Sequence, residues 1–204
     1  MFGLVRLLIG CILFICAVLV IKRFKAAHKN KKYVISAIVA VALTAILAFL
    51  PFENIFVTFD SPECVYRYVS FGNSDVKLVV DGQDSDLVIG DNNGADVYLI
   101  VPKTSDGWKI GIGANTKRVA QKIADGVVIY VYQYKDTRDY FVTVLDTAGG
   151  PIEIADSCNS EFVSLERAND SLDKIFTTHY ASIPNIDQQY WVKVNGEDIS
   201  VFDK

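Results

Sequence analysis

Two long uncharged runs, one on each side of a basic loop, constrain what the first quarter of this chain can become. Leu7 to Ile21 carries no charged residue, and Phe2 to Val5 extends the run beyond a single Arg6. Tyr33 to Leu50 is a second run, of 18 positions. At about 1.5 Å of rise per residue, a helix of that length reaches about 27 Å, close to the roughly 30 Å hydrocarbon core of a bilayer. Snorkelling of flanking side chains covers the small shortfall. Residues 1–21 and 33–50 are therefore expected to be transmembrane helices, with the lipid bilayer as their partner.

The loop between them sets an expected orientation. Residues 22–32 hold Lys22, Arg23, Lys25, Lys29, Lys31 and Lys32. Short loops rich in Lys and Arg stay in the cytoplasm, so both termini are expected outside. A cleaved signal peptide needs its basic residues before the apolar stretch, whereas here they follow it. Leu8-Ile9-Gly10-Cys11 has the form of a lipoprotein box, but hardly any apolar stretch precedes its cysteine. Ser36, Ala40, Thr44 and Ala48 recur every four residues and so share one helix face. Gly3, Gly10 and Ala17 form a second stripe of small residues. Small residues let membrane helices approach closely, which gives the expected hairpin a packing seam.

Charge divides as sharply as hydropathy. Residues 1–52 contain seven basic and no acidic side chains, so all 24 acidic residues lie beyond them. Residues 53–204 are thus strongly acidic, which excludes a phosphate-binding surface of clustered Lys and Arg and with it nucleic acid as a partner. Composition changes at Pro51. Ile55-Phe56-Val57-Thr58-Phe59 is rich in β-formers. Ser61-Pro62-Glu63 reads as a helix start, with Ser as N-cap, Pro in the first turn and an acid beside it. Strands are expected over Val76–Val80, Leu87–Ile89, Val97–Val101, Trp108–Ile110, Val127–Tyr134, Tyr140–Leu145, Ile152–Ile154, Phe162–Glu166, Ile175–Ile183, Tyr190–Val194 and Ile199–Phe202. Gly- and Asn-bearing turns such as Asn195-Gly196 separate several of them. Lys117–Ala124 fits helix or strand, and Gly111-Ile112-Gly113 marks a candidate internal boundary near 113. The fold class expected is a two-helix transmembrane hairpin followed by a mainly β (α+β) extracytoplasmic domain with one short helix.

Phe59-Asp60-Ser61-Pro62-Glu63, with Tyr66 and Tyr68 close behind, resembles the Ser-Pro-Glu-Glu-Ala-aromatic helix opener of outer domains in Gram-positive bacterial membrane proteins. Cys64 and Val65 stand where that pattern has Glu-Ala. The whole layout is similar to uncharacterised two-helix membrane-anchored proteins of that group. The resemblance implies an extracytoplasmic β-rich domain and supplies neither an activity nor site residues.

Chemistry-bearing motifs are sparse. Cys11 and Cys16 read as small hydrophobes in the first run. Cys64 and Cys158 lie in the outer part, where a disulfide is chemically permitted and two free thiols are the alternative. Cys158 with His179 is the one nucleophile–base pair the sequence offers, with Arg167 as an anion stabiliser. That set is similar to the one in membrane-anchored β-barrel transpeptidases, yet their Thr-Leu-x-Thr-Cys stretch is replaced by Ala155-Asp156-Ser157-Cys158. There is no Gly-x-Ser-x-Gly elbow. Gly111-Ile112-Gly113-Ala114-Asn115-Thr116-Lys117 lacks the Gly-Lys-Ser/Thr ending of a phosphate loop. Asp81, Asp84, Asp86 and Asp91 could gather a hard cation, although Asp is also an ordinary turn residue and the spacing matches no helix–loop–helix calcium loop. Tyr130, Tyr132 and Tyr134 share one strand face, with Tyr140 a candidate neighbour across the hairpin. They suit either a glycan or peptide surface, or packing against a second sheet. No catalytic, cofactor-binding or metal residue is assigned and no cofactor is expected. The expected role is a non-catalytic binding or sensing module of the cell envelope. An envelope enzyme using Cys158 and His179, or a subunit assembled through the helix hairpin into a membrane complex, are the alternatives.

Overall fold

The computed structural model describes residues 10–12, 14–16, 18–19, 34–35, 38–43, 51–70, 75–92, 95–112, 115–124, 126–135, 137–169 and 174–202. Its architecture is mainly β. Most of 1–21 and 33–50, and all of the basic loop 22–32, lie outside the described residues, as do Ser36, Thr44, Ala48, Gly3 and Ala17 of the two small-residue stripes. The described residues of those segments are helical, and Phe14, Ile15, Ile38 and Val41 are exposed. Among the described residues, no helix is long and apolar enough to cross a membrane.

From Pro51 onward the chain builds four layers. The first is helix α1 (Pro62–Val69). Ser61 caps it by accepting a bond from the Cys64 amide at 3.3 Å, with Pro62 at its start and Glu63 in its first turn. The second layer is a sheet of β1 (Val76–Asp81), β2 (Ser85–Asn92), β3 (Ala95–Thr104) and β4 (Gly107–Trp108), in that order. The third comprises β5 (Thr116–Ala124), β6 (Val127–Tyr134), β7 (Asp139–Asp146), β9 (Val163–Asn169) and β10 (Lys174–Pro184), ordered β5-β6-β7-β10-β9. The fourth has β8 (Ile154–Asp156), β11 (Trp191–Val194) and β12 (Glu197–Ser200), ordered β12-β11-β8. Every paired strand is antiparallel.

Strict alternation of side chains explains the stacking, because successive residues of a strand face opposite sides. On β2, Val88 packs under α1 with Val65, Tyr66, Val101 and Ile110. Its neighbours Leu87 and Ile89 face the other way, onto Tyr134, Phe141 and Tyr180 of the third layer. On β6 and β7, Val127, Ile129, Val131, Val142 and Val144 face the fourth layer and meet Tyr190, Val192 and Val194. Each inner sheet is therefore apolar on both faces. Near-continuous runs such as Val127-Val128-Ile129-Tyr130-Val131 follow from that double burial.

Several expectations need correction. Ile55–Phe59 is not a strand. A 3-10 helix, Phe52–Ile55, occupies its start, and the Glu53 carbonyl takes the amides of Phe56 and Val57 at 2.9 and 2.8 Å. Only Phe59 pairs, in an isolated bridge with Trp108. Lys117–Ala124 is strand, with a bulge between Arg118 and Ala120. The expected strands Ile152–Ile154 and Ile199–Phe202 are displaced by about two residues, to Ile154–Asp156 and to Glu197–Ser200, the latter directly after the turn at Asn195 (φ 50) and Gly196 (φ 89). Cys64 and Cys158 are free and exposed. Cys64 is on α1 and Cys158 follows β8, so two sheets at about 10 Å spacing stand between thiols that a disulfide needs within about 7 Å, Cα to Cα.

Candidate functional site

Where the second and third layers part, side chains from four strands converge. Tyr130 stands opposite Thr143, and Thr143 opposite Tyr180, so β6, β7 and β10 present the three in one row. Tyr98 reaches this row from β3 of the facing sheet. Its hydroxyl lies 3.3 Å from that of Tyr180, and the two rings are 6.2 Å apart. The Tyr130 and Tyr132 rings lie 6.0 Å apart, and the Arg118 guanidinium sits 5.8 Å from the Tyr130 ring centre. Such a separation is a cation–π contact. Arg167 of β9 pairs with Asp96 of β3 and closes the seam between the sheets.

Burial grades through the cluster. Tyr180 is fully buried, Tyr132 is half-buried, and Tyr98 is 44% exposed. Burial raises the hydroxyls of Tyr98 and Tyr132 above their ordinary range. Tyr180 is raised much further, by burial first and then by its bond to Tyr98. The three phenols therefore remain protonated and keep their donor capacity at physiological pH. Thr143, in the middle of the row, is buried with a hydroxyl that has no hydrogen-bond partner among the described residues. The set offers ring faces, phenolic hydroxyls and a guanidinium, which are recognition chemistry. It brings no thiol and no group titrating near neutrality.

Only part of this was visible in the sequence. Tyr130 and Tyr132 do line one face. Tyr134 is core: it is buried, and its hydroxyl accepts the Ile112 amide at 3.2 Å. Tyr140 stands opposite Gln133 and packs on the other face, with the fourth layer. Tyr98, Tyr180, Arg118 and Asp96 gave no sequence signal, since their meeting depends on how two sheets stack.

The four aspartates of the cation hypothesis are turned to protein donors. Lys103 Nζ bonds Asp81 at 2.6 Å, Asp86 at 2.8 Å and the Gly82 carbonyl at 2.6 Å. Trp108 donates to the second oxygen of Asp86 at 2.5 Å. Asp91 pairs with Lys77 at 2.6 Å, and Asp84 faces Arg138. Among the described residues, no three His, Cys, Asp or Glu side chains gather as a metal needs.

Nor are Cys158, His179 and Arg167 brought together. Arg167 stands opposite Phe176, on the face of the third layer turned to the second. His179 has the parity of Ala181 and Ile183 and faces the fourth layer. Cys158 is exposed in the turn after β8, where its amide donates to Asp156 at 3.1 Å. Burial lowers the His179 imidazole below its ordinary value, and the nearby Asp146 charge offsets this only in part. The unfolded chain then binds more protons than the folded one below about pH 6.5. The stabilising contribution is fully present above that pH and is lost as pH falls through the lower folded value. His179→Gln should make the unfolding midpoint less sensitive to acidification between about pH 7.5 and pH 5.5. Equal sensitivity in both proteins would dismiss His179 as the cause.

No protein-family model, curated protein or solved structure matches this chain.

Proposed function

We propose that this protein is a non-catalytic, membrane-anchored binding module of the cell envelope, and that the Tyr98–Tyr130–Tyr132–Tyr180 cluster is its recognition face. Anchoring rests on the two uncharged runs, the basic loop between them and the exposed apolar side chains of their described helical residues. The recognition reading rests on one observation. A half-exposed tyrosine, Tyr98, is locked to a buried one, and towards the β5 edge of the same face the Arg118 guanidinium lies over the Tyr130 ring and forms no ion pair among the described residues. Tyrosines fixed in this way present apolar faces and hydroxyls together with little entropy left to lose, which suits a sugar polymer with anionic substituents.

The test uses the full chain in nanodiscs and soluble envelope polysaccharide from the source cell, with binding read by thermophoresis. Tyr98→Ala and Arg118→Ala should each weaken binding about tenfold, the order expected for a central aromatic or Arg contact. Polysaccharide binding that both variants leave unchanged would remove the cluster as the site.

A further inference from the structure

Phe56 is 82% exposed and Ile55 75%, with Val57 beside them at 41%. No large apolar side chain among the described residues is more exposed than Phe56. This tip is not a loosely held loop. Asn54 is clamped to Ile110 by two bonds, its amide donating to the Ile110 carbonyl at 2.9 Å and its oxygen accepting the Ile110 amide at 2.8 Å. Lys109 Nζ bonds the carbonyls of Asn54 and Val57 at 3.0 and 2.8 Å and the Thr58 hydroxyl at 2.6 Å. With the backbone so satisfied, the three side chains cannot turn inward without breaking the clamp. The tip therefore holds apolar surface in the open, at a cost that an occupant must offset.

The sequence indicates what that occupant is. Phe56 follows Leu50, the last residue of the second apolar run, by six positions. A helix ending there in the bilayer leaves its next residues at the headgroup boundary, where aromatic and aliphatic side chains bury a few ångströms deep. We infer that Ile55, Phe56 and Val57 are a membrane-docking tip, seating the outer domain on the lipid interface while Lys109 braces the tip's backbone. This rests on the anchored reading above. It also orients the recognition face: Phe59 is bridged to Trp108, which pairs with Lys103, and Tyr98 lies five residues along β3 from Lys103. At about 3.3 Å per residue, Tyr98 stands about 17 Å along β3 from the level of the Phe59 bridge.

The experiment places an environment-sensitive fluorophore on Phe56→Cys, and separately on Glu197→Cys of the fourth layer, in full chains whose native cysteines are serine. The chains are reconstituted in vesicles of phosphatidylglycerol and phosphatidylethanolamine. Lipid spin-labelled near the headgroup should quench the Phe56 probe about threefold more than the Glu197 probe, as shallow interfacial burial requires. Alkaline carbonate extraction of the same vesicles separates the two failures. A chain released by carbonate overturns anchoring and docking together. A chain retained in the vesicles, with both probes equally unquenched, overturns docking alone.

Discussion

Asp139→Ala is expected to lower the unfolding midpoint of the full chain by roughly 10 °C. Asp139 is fully buried, at the start of β7. Its carboxylate accepts the amides of Gln83, Asp84 and Ser85 at 2.8, 2.6 and 2.7 Å and the Ser85 hydroxyl at 3.0 Å. These donors belong to the β1–β2 turn, and the acceptor follows the β6–β7 turn, so one side chain ties the second layer to the third. Asp84 returns the contact by accepting the Arg138 amide at 3.4 Å. Removing the carboxylate strands the buried amide and hydroxyl of Ser85, each costing about 1–3 kcal/mol, and frees the part-buried amides of Gln83 and Asp84, so a total near 4 kcal/mol is expected. Asp139→Asn keeps one acceptor oxygen but turns an amine toward donors, and should fall between wild type and alanine. Ser85→Ala removes a single bond and should cost about 1 kcal/mol. A midpoint shift below about 2 °C for Asp139→Ala would show that the two turns hold together without it.

That contact also shows where sequence reasoning stopped. Asp81-Gly82-Gln83-Asp84-Ser85-Asp86 was legible as a turn, and β1 and β2 were placed on each side of it. The partner of its three amides lies more than fifty residues away, and nothing local marks Asp139 as their acceptor. The aspartates of the turn invited a cation because their own cations are also distant: Lys103 is on β3 and Arg138 precedes β7. Composition rich in β-formers identified the strands well where both ends carry turn residues, as at Val127–Tyr134. It failed at Ile55–Phe59, where β-branched and aromatic composition was overridden by Asn54 and Lys109 reaching across to fix a tight turn.

The recognition face divides the same way. Strand alternation alone puts Tyr130, Tyr132 and Tyr134 on one side. Whether a given tyrosine is a site or a core residue depends on how far the facing sheet extends over it. The second layer covers Tyr134 and leaves Tyr130 near its margin. That is a property of two sheets together, which no single strand encodes. Arg167, read from sequence as an anion stabiliser for Cys158, instead closes this seam through Asp96.

Gly90→Ala should also be strongly damaging, and its cost should depend on Tyr66. Gly90 lies within β2 on the face turned to α1, and a Cβ built there falls 2.2 Å from the Tyr66 ring and hydroxyl oxygen. Tyr66 is itself buried to 1% exposure and cannot swing aside into solvent. Overpacking of this kind costs about 1–3 kcal/mol, and the closeness of the contact places Gly90→Ala at the upper end. Glycine inside a strand ordinarily weakens it, yet here the missing side chain makes the space an aromatic ring fills. The Tyr66 hydroxyl has no hydrogen-bond partner among the described residues. Tyr66→Phe therefore removes a buried polar atom without breaking a bond, and should be neutral or stabilising by up to about 1 kcal/mol. Tyr66→Ala, by contrast, empties the space and should cost about 3–5 kcal/mol. In that background the alanine at position 90 has room, so the double variant should unfold no earlier than Tyr66→Ala alone. The coupling is then about as large as the Gly90→Ala cost itself, well beyond the few tenths of a kcal/mol by which independent sites depart from additivity. Additive losses in thermal unfolding of the four proteins would mean that Gly90 is required by the β2 backbone and not by the ring above it.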